Sequence, residues 1–453
     1  MITIPKKGLN EIRYTEKIAK NTDYVIIVND DLSTNVGDLF SLWNQKCKVV
    51  ICNDISDYYD FIKKEKKLNS NTNILIIGTK NIKYEEILDY RNLTEFYFLY
   101  LDRMKEINQS LIKTNKAFIK KDDNNIAKKS IEDLANMNFG GKNIRGFLIS
   151  LGYNIASKKE DNYYLPLAVA YETFETSILV HDDIIDKADI RRGKKTIHNR
   201  NKIEYNKIQS NKDNFEEDKE STANAVALCA GDIGFFLSNN IIVENYSKDD
   251  NLAKLLKLYN DILIYTGKGE VIDVVLPFLE KHNSSFTSKE KDIMEIYRLK
   301  TAWYTLIGPL ALGLTLGGAN KNTIRSIERI AEPLGIAFQI KDDILGIFAT
   351  SNKIGKSCSD IEEYKQTILY SYAINTEYKE ELLKYYGKNN LSANDILKVQ
   401  NIFKNSGAYD YSTKKMEDLF DESKKKIKLT KSIPQNYKNI LYGFIIYLEL
   451  REK

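Results

Sequence analysis

The sharpest chemical signal in the sequence is the run Leu179-Val180-His181-Asp182-Asp183-Ile184-Ile185-Asp186, three aspartates set among apolar residues. On a helix the positions i, i+1 and i+4 project toward one side, so the spacing predicts that Asp182, Asp183 and Asp186 converge on hard cations. Three carboxylates in apolar surroundings are costly unless positive charge answers them. Arg191-Arg192-Gly193 follows closely and offers two forked donors suited to phosphate oxygens. The plain alternative is an exposed acidic helix end before a basic turn, and the flanking apolar residues argue against it.

A second acidic pair, Asp342-Asp343, lies in Phe338-Gln339-Ile340-Lys341-Asp342-Asp343-Ile344-Leu345-Gly346. Two such helices facing one another would line the core of a helical bundle with carboxylates on opposed walls. Magnesium prefers octahedral oxygen ligands and binds through carboxylates plus substrate phosphates. The pattern therefore predicts a diphosphate held between two acidic walls by metal ions. Cations complete the set. Gly140-Gly141-Lys142-Asn143-Ile144-Arg145 places Lys142 and Arg145 three apart on one helical face after a flexible turn. Lys300-Thr301 sits in an apolar helix, and Lys356 and Lys365 follow the second acidic pair. Any one of these lysines reads as ordinary surface; together they read as diphosphate ligands.

These residues need rigid elements to position them. The stretch 1–95 alternates short apolar runs with helical ones. Tyr24–Val28, Val49–Cys52 and Ile74–Gly78 read as buried strands, and Asp38–Gln45 and Asp57–Leu68 as helices. That order predicts a small α/β domain with a parallel sheet. Asn29-Asp30-Asp31, after the first of these strands, reads as a solvated loop. From Phe96 to residue 453 strand signals vanish, and a main all-α helical bundle is predicted, with its first helix over Phe96–Lys120. Only 6 prolines occur in 453 residues, which suits long helices. Thr305–Gly318 reads as a buried helix, and the charged stretch Asn199–Thr222 as an exposed loop.

Composition sets the bounds. A net charge of +4, with lysines interleaved among acids, predicts no nucleic-acid partner. Cys47, Cys52, Cys229 and Cys358 lack metal-ligand spacing and suggest a reduced, cytoplasmic protein. No signal peptide and no transmembrane segment is expected.

In their order and intervals, these motifs resemble the trans-isoprenyl (polyprenyl) diphosphate synthases over about residues 100–450. Gly140-Gly141-Lys142-Asn143-Ile144-Arg145 is similar to that family's Gly-Gly-Lys-x-x-Arg. Asp182-Asp183-Ile184-Ile185-Asp186 is similar to its first aspartate-rich motif, and Asp342-Asp343 to its second. Lys300-Thr301, Gln339 and the Gly355-Lys356 to Lys365 segment match in turn. The resemblance implies an isoprenoid-synthase-type bundle that condenses isopentenyl diphosphate with an allylic diphosphate to give a longer trans product. By it, Lys142, Arg145 and Arg192 grip isopentenyl diphosphate. Arg191, Lys300, Thr301, Gln339, Lys356 and Lys365 hold the allylic diphosphate. Asp182, Asp186 and Asp342 bind Mg²⁺, with Asp183 and Asp343 in support. A homodimer is implied as well.

Several positions depart from that pattern. Glu175 stands where the family has His or Gln on isopentenyl diphosphate, Gly346 replaces a third aspartate, and Gly269-Glu270 replaces Gly-Gln. One turn before Asp182 lie Ser177 and Ile178 rather than an aromatic residue, so a product of C20 or longer is expected, with Phe174 as the tunnel floor. Two other readings compete. A terpene cyclase-like enzyme has no use for Lys142, Arg145 and Arg192, and a non-catalytic subunit of a heteromeric synthase commonly loses aspartates that this chain keeps.

Overall fold

A computed structural model describes residues 2–4, 23–28, 48–65, 68, 72, 74–78, 84–120, 124–159, 161–210, 212–283, 285–348 and 359–451. They fall into two compact units, one of 1–102 with 420–453 and one of 103–419. The last 34 or so residues thus group with the first unit, whereas the sequence reading kept them with the helical part.

In the first unit, β1 (Ile2–Ile4), β2 (Tyr24–Val28), β3 (Lys48–Cys52) and β4 (Ile74–Gly78) form one sheet in the order β1-β4-β2-β3. Every pairing is parallel, with Val25 beside Val49 on one side and Leu75 on the other. Unbroken apolar runs rather than alternating ones suit strands covered on both faces, and Val25, Ile26, Ile74 and Ile76 are all buried. The helix Ile55–Lys64 starts where the Asp54 side chain accepts from the Asp57 amide, and it buries Tyr58, Tyr59 and Ile62. The C-terminal helix Gln435–Leu450 belongs here because of its aromatic residues: the Tyr447 ring lies edge-on 5.9 Å from Tyr59 and tilted 5.3 Å from Phe96, and Phe444 lies 5.4 Å from Phe96. The expected helix Asp38–Gln45, the Asn29-Asp30-Asp31 loop, Cys47 and Cys358 lie outside the described residues.

In the second unit every described element is helical except a short antiparallel hairpin, β5 (Ile190–Arg191) and β6 (Lys194–Lys195). The helix Tyr84–Ile119 starts before the predicted Phe96, and only its residues from 103 onward belong to this unit. Helices Asn125–Met137, Ile144–Ser157, Leu165–Ile185, Phe215–Tyr246, Leu252–His282 and Lys321–Phe348 follow. Gly308–Leu316 has all of its residues buried, as its composition suggests. Tyr171, Phe174, Tyr259, Tyr304 and Leu312 join one apolar core. The stretch Asn199–Thr222 is not the loop its polarity suggested. Helices Ile197–Tyr205 and Phe215–Tyr246 enter it from both sides, and Lys202 bridges to Glu220 at 2.6 Å. Charged pairs carry a solvent-facing helix without apolar periodicity.

Among the described residues one helix, Phe215–Tyr246, has the length and apolar composition to cross a membrane. It buries Ala227, Ala230, Leu237 and Ile241 within the unit. Phe236, Val243 and, on the next helix, Val271 and Phe278 are exposed.

Candidate active site

The first acidic motif closes the helix Leu165–Ile185, with Asp186 as its C-cap. The three aspartates do not converge as the sequence predicted. Successive helical residues are turned about 100° apart, so Asp183 faces the interior while Asp182 and Asp186 share the outer side. Asp183 is 1% exposed and takes an ion pair from the Arg191 Nε of β5. Burial pushes the Asp182 carboxyl up, Lys300 opposes that shift, and Asp186 reinforces it.

The second acidic pair shows the same split. Asp343, on Lys321–Phe348, is fully buried. Its carboxylate accepts from the Tyr297 hydroxyl and from Gln339 Nε2 at 2.8 Å, and lies 3.9 Å from Lys365 Nζ. Burial lifts its pKa to about 6 against the pull of Lys365. Asp342, one position earlier, is half-buried. Thr301 Oγ1 donates to Gln339 Oε1 at 2.6 Å, so the Gln339 amide relays a hydrogen-bond chain from Thr301 to Asp343.

Lys300 and Thr301 sit in a π-helical stretch, Tyr297–Ile307, a rare geometry that concentrates at functional sites. Two glycines let this stretch approach its neighbours. A Cβ at Gly269 would come within 2.7 Å of the Lys300 amide nitrogen, and one at Gly335 within 2.5 Å of the Ala302 Cα. Lys300 Nζ lies 2.7 Å from Glu270 and 2.7 Å from Asp273. Burial raises the Glu270 carboxyl to about 7, with Lys300 opposing. Asp273 acts on Lys300 and on Lys365 alike, and Lys300 also feels Asp182. Two ion-pair clusters result: Lys300 with Glu270 and Asp273, and Lys365 with Asp343 and Asp360.

A separate basic cluster forms beside it. The turn through Gly140, at φ +92°, leads into the helix Ile144–Ser157. Arg145 lies on that helix, whereas Lys142 is exposed in the preceding loop, so the two do not share a helical face. Arg145 Nη1 and Arg192 Nη2 each lie 2.9 Å from Glu175 Oε1. Arg145 also donates to Thr305 Oγ1 at 3.0 Å, and its guanidinium stacks 4.1 Å over the Tyr304 ring. One turn before Glu175, Glu172 Oε1 accepts from the Gly146 amide at 2.7 Å. Burial and then Glu175 push the Glu172 carboxyl well above its usual range. Burial opposes ionisation of Glu175 too, but Arg145 and Arg192 hold its carboxyl below the ordinary value. Lys356 lies outside the described residues.

A cavity of about 330 Å³ adjoins the first motif, lined by Asp182 and Glu270 and by Phe174, Ile178, Phe235 and Leu263. Phe174 closes on Tyr171, Tyr259 and Tyr304 at ring distances of 5.2 to 5.6 Å. Sequence reasoning missed Glu270, Asp273, Tyr297 and Asp360 as parts of the ion-pair clusters. The spacing of Glu270 and Asp273, one helical turn apart on an apolar helix, was the available signal.

Among the described residues, no three His, Cys, Asp or Glu side chains form a ready-made ion cage. Half-exposed Asp182 with exposed Asp186, and half-exposed Asp342, instead leave one or two accessible carboxylates on each acidic helix. That donor set fits magnesium, whose remaining oxygens come from water and a substrate diphosphate.

The profile of the polyprenyl synthetase family matches residues 128–403. A short chain isoprenyl diphosphate synthase of Methanocaldococcus jannaschii is 28% identical over 312 residues, covering 67% of this chain and 84% of its own length. A geranylgeranyl diphosphate synthase of Sulfolobus acidocaldarius is 26% identical, covering 62% of this chain and 79% of its own. Among solved structures, the geranylgeranyl pyrophosphate synthase of Corynebacterium glutamicum, complexed with isoprenyl diphosphate and magnesium, superposes with a TM-score of 0.69 at 24% identity. That match spans 77% of this chain and 98% of the other.

Proposed function

The chain belongs to the polyprenyl synthetase family, and from that premise we propose that it is a trans-prenyltransferase condensing isopentenyl diphosphate with an allylic diphosphate. The observation that carries this reading is geometric: each acidic motif buries one aspartate against a cation, Asp183 on Arg191 and Asp343 beside Lys365, and Asp182 lines an apolar cavity. Asp182, Asp186 and Asp342 would hold Mg²⁺. Magnesium, when bound, neutralises the diphosphate that departs from the allylic carbon. Lys300, Thr301, Gln339, Arg191, Lys356 and Lys365 orient that diphosphate and stabilise its developing charge. Asp183 and Asp343 act through their partners: the one fixes Arg191, the other fixes Gln339 and Lys365.

The carbon–oxygen bond breaks to leave a diphosphate and an allylic cation. The isopentenyl double bond attacks that cation, and the proton it sheds goes to the released pyrophosphate. Lys142, Arg145 and Arg192 position isopentenyl diphosphate for the attack. The apolar lining from Ile178, Phe235 and Leu263 keeps water from quenching the cation.

The same cavity supports a product of C20 or longer, with Phe174 as its floor. Phe174→Ala should lengthen the products seen by reverse-phase chromatography, at a cost of about 3–5 kcal/mol in stability. An unchanged product would remove Phe174 from that role. The exposed apolar residues Phe236, Val243, Val271 and Phe278 support burial against a second copy in a homodimer. The free cysteines Cys52 and Cys229, the latter exposed, support a reducing cytoplasm. We keep residues 1–95 as a small α/β domain of unassigned role, a reading the parallel strand pairing supports.

The direct test incubates the purified chain with isopentenyl diphosphate, magnesium and allylic primers of increasing length. Pyrophosphate release with an elongated product is expected. Release without elongation, or none with any primer, contradicts the reading.

A further inference from the structure

The two arginines assigned to isopentenyl diphosphate already share an anion. Glu175 is 7% exposed, and one oxygen of its carboxylate receives both Arg145 and Arg192 at 2.9 Å. The cluster is built rather than accidental. Arg145 is fixed by Thr305 and by the Tyr304 ring, and Arg192 also donates to the Met137 carbonyl at 3.2 Å. Glu172 completes it from below through the Gly146 amide. A neutral side chain at 175 would take away the carboxylate in direct contact with both guanidinium groups, leaving Glu172, which is bound to the Gly146 amide, as the next nearest carboxyl.

Resting on the prenyl-transfer reading above, we propose that Glu175 is an internal counter-anion in the homoallylic diphosphate cradle, which isopentenyl diphosphate must displace from Arg145 and Arg192 in order to bind. Glu175 is thereby a specificity-determining residue: it lowers affinity for the homoallylic substrate while leaving the allylic site untouched. Two charges of like sign a few ångströms apart in a partly buried site repel strongly, and the incoming diphosphate meets the carboxylate at that range. Nothing in the chemical step uses the Glu175 carboxylate, so the effect falls on KM for isopentenyl diphosphate rather than on kcat.

The test compares the full chain with Glu175→Gln and Glu175→His, which remove the charge, and Glu175→Asp, which keeps it. Thermal melting confirms folding, and either neutral variant that folds suffices. Titration calorimetry with isopentenyl diphosphate alone, then steady-state kinetics with primer and magnesium, reads the outcome. A neutral variant should bind isopentenyl diphosphate about tenfold or more tightly, with KM falling in parallel and kcat within about threefold of wild type. Glu175→Asp, which keeps the charge, should not reproduce the neutral variants' gain in affinity. Unchanged or weaker binding in a folded neutral variant overturns the proposal. Tighter binding by a chain that makes no longer product would instead sink prenyl transfer and leave the counter-anion role standing.

Discussion

The two acidic helices solve one problem with different supports. In both, the first aspartate of the pair looks outward and the second is buried and neutralised. In the first motif that support is local: Arg191 of the adjoining hairpin serves Asp183. In the second it is long-range, since Asp343 is held by Tyr297, Gln339 and Lys365, and Tyr297 in turn accepts the Ile368 amide at 2.9 Å. The third carboxylate differs too. Asp186 supplies it on the first helix. On the second, Gly346 stands in that place, and the space its side chain would need is taken by Asp360, which pairs with Lys365 at 3.6 Å. The outward aspartates are thus set by helical phase, while the buried ones are set by whatever cation the fold brings to them.

The largest effect should come from the outward pair. Asp182→Ala or Asp342→Ala should each lower kcat about a thousandfold in a pyrophosphate-release assay. A drop from only one of the two would break the symmetry between the walls. Next come the buried partners: Asp183→Asn and Asp343→Asn should cost about 10- to 100-fold in activity. Asp343→Asn should be the worse, because it removes the charge beside Lys365 and puts an amide donor in place of one of the two oxygens that Gln339 and Tyr297 donate to. Equal losses would mean that the long-range network adds nothing. The smallest effect on turnover belongs to Gly346→Asp. It places a carboxylate against Asp360 and should lower stability by about 1–3 kcal/mol in thermal melts.

Much of this was legible in the sequence, for physical reasons. Unbroken β-branched runs marked β2, β3 and β4, and apolar helical periodicity marked the acidic helices. Motif spacing pointed to Thr301 and Gln339, which hydrogen-bond to one another. What failed was direction. Spacing alone did not show that Asp183 turns inward, that Lys142 sits in a loop, or that 199–222 is mostly helical. Nor did it show that Phe444 and Tyr447 group with the first unit, since that depends on aromatic contacts between residues far apart in the chain. Glu270 stood out only as a departure from the family's glutamine and Asp273 not at all, because a carboxylate pair on a helix is ordinary until a part-buried lysine is found between them.

Metal ions shared by the two acidic helices over one diphosphate are the central requirement of the proposed reaction. Turnover measured against free Mg²⁺, for wild type, Asp182→Asn and Asp342→Asn, addresses that directly. Chelation should abolish activity, magnesium should restore it, and both variants should need about tenfold or more magnesium to reach half their maximal rate. Turnover that persists under chelation, or a magnesium requirement that neither substitution moves, would contradict it.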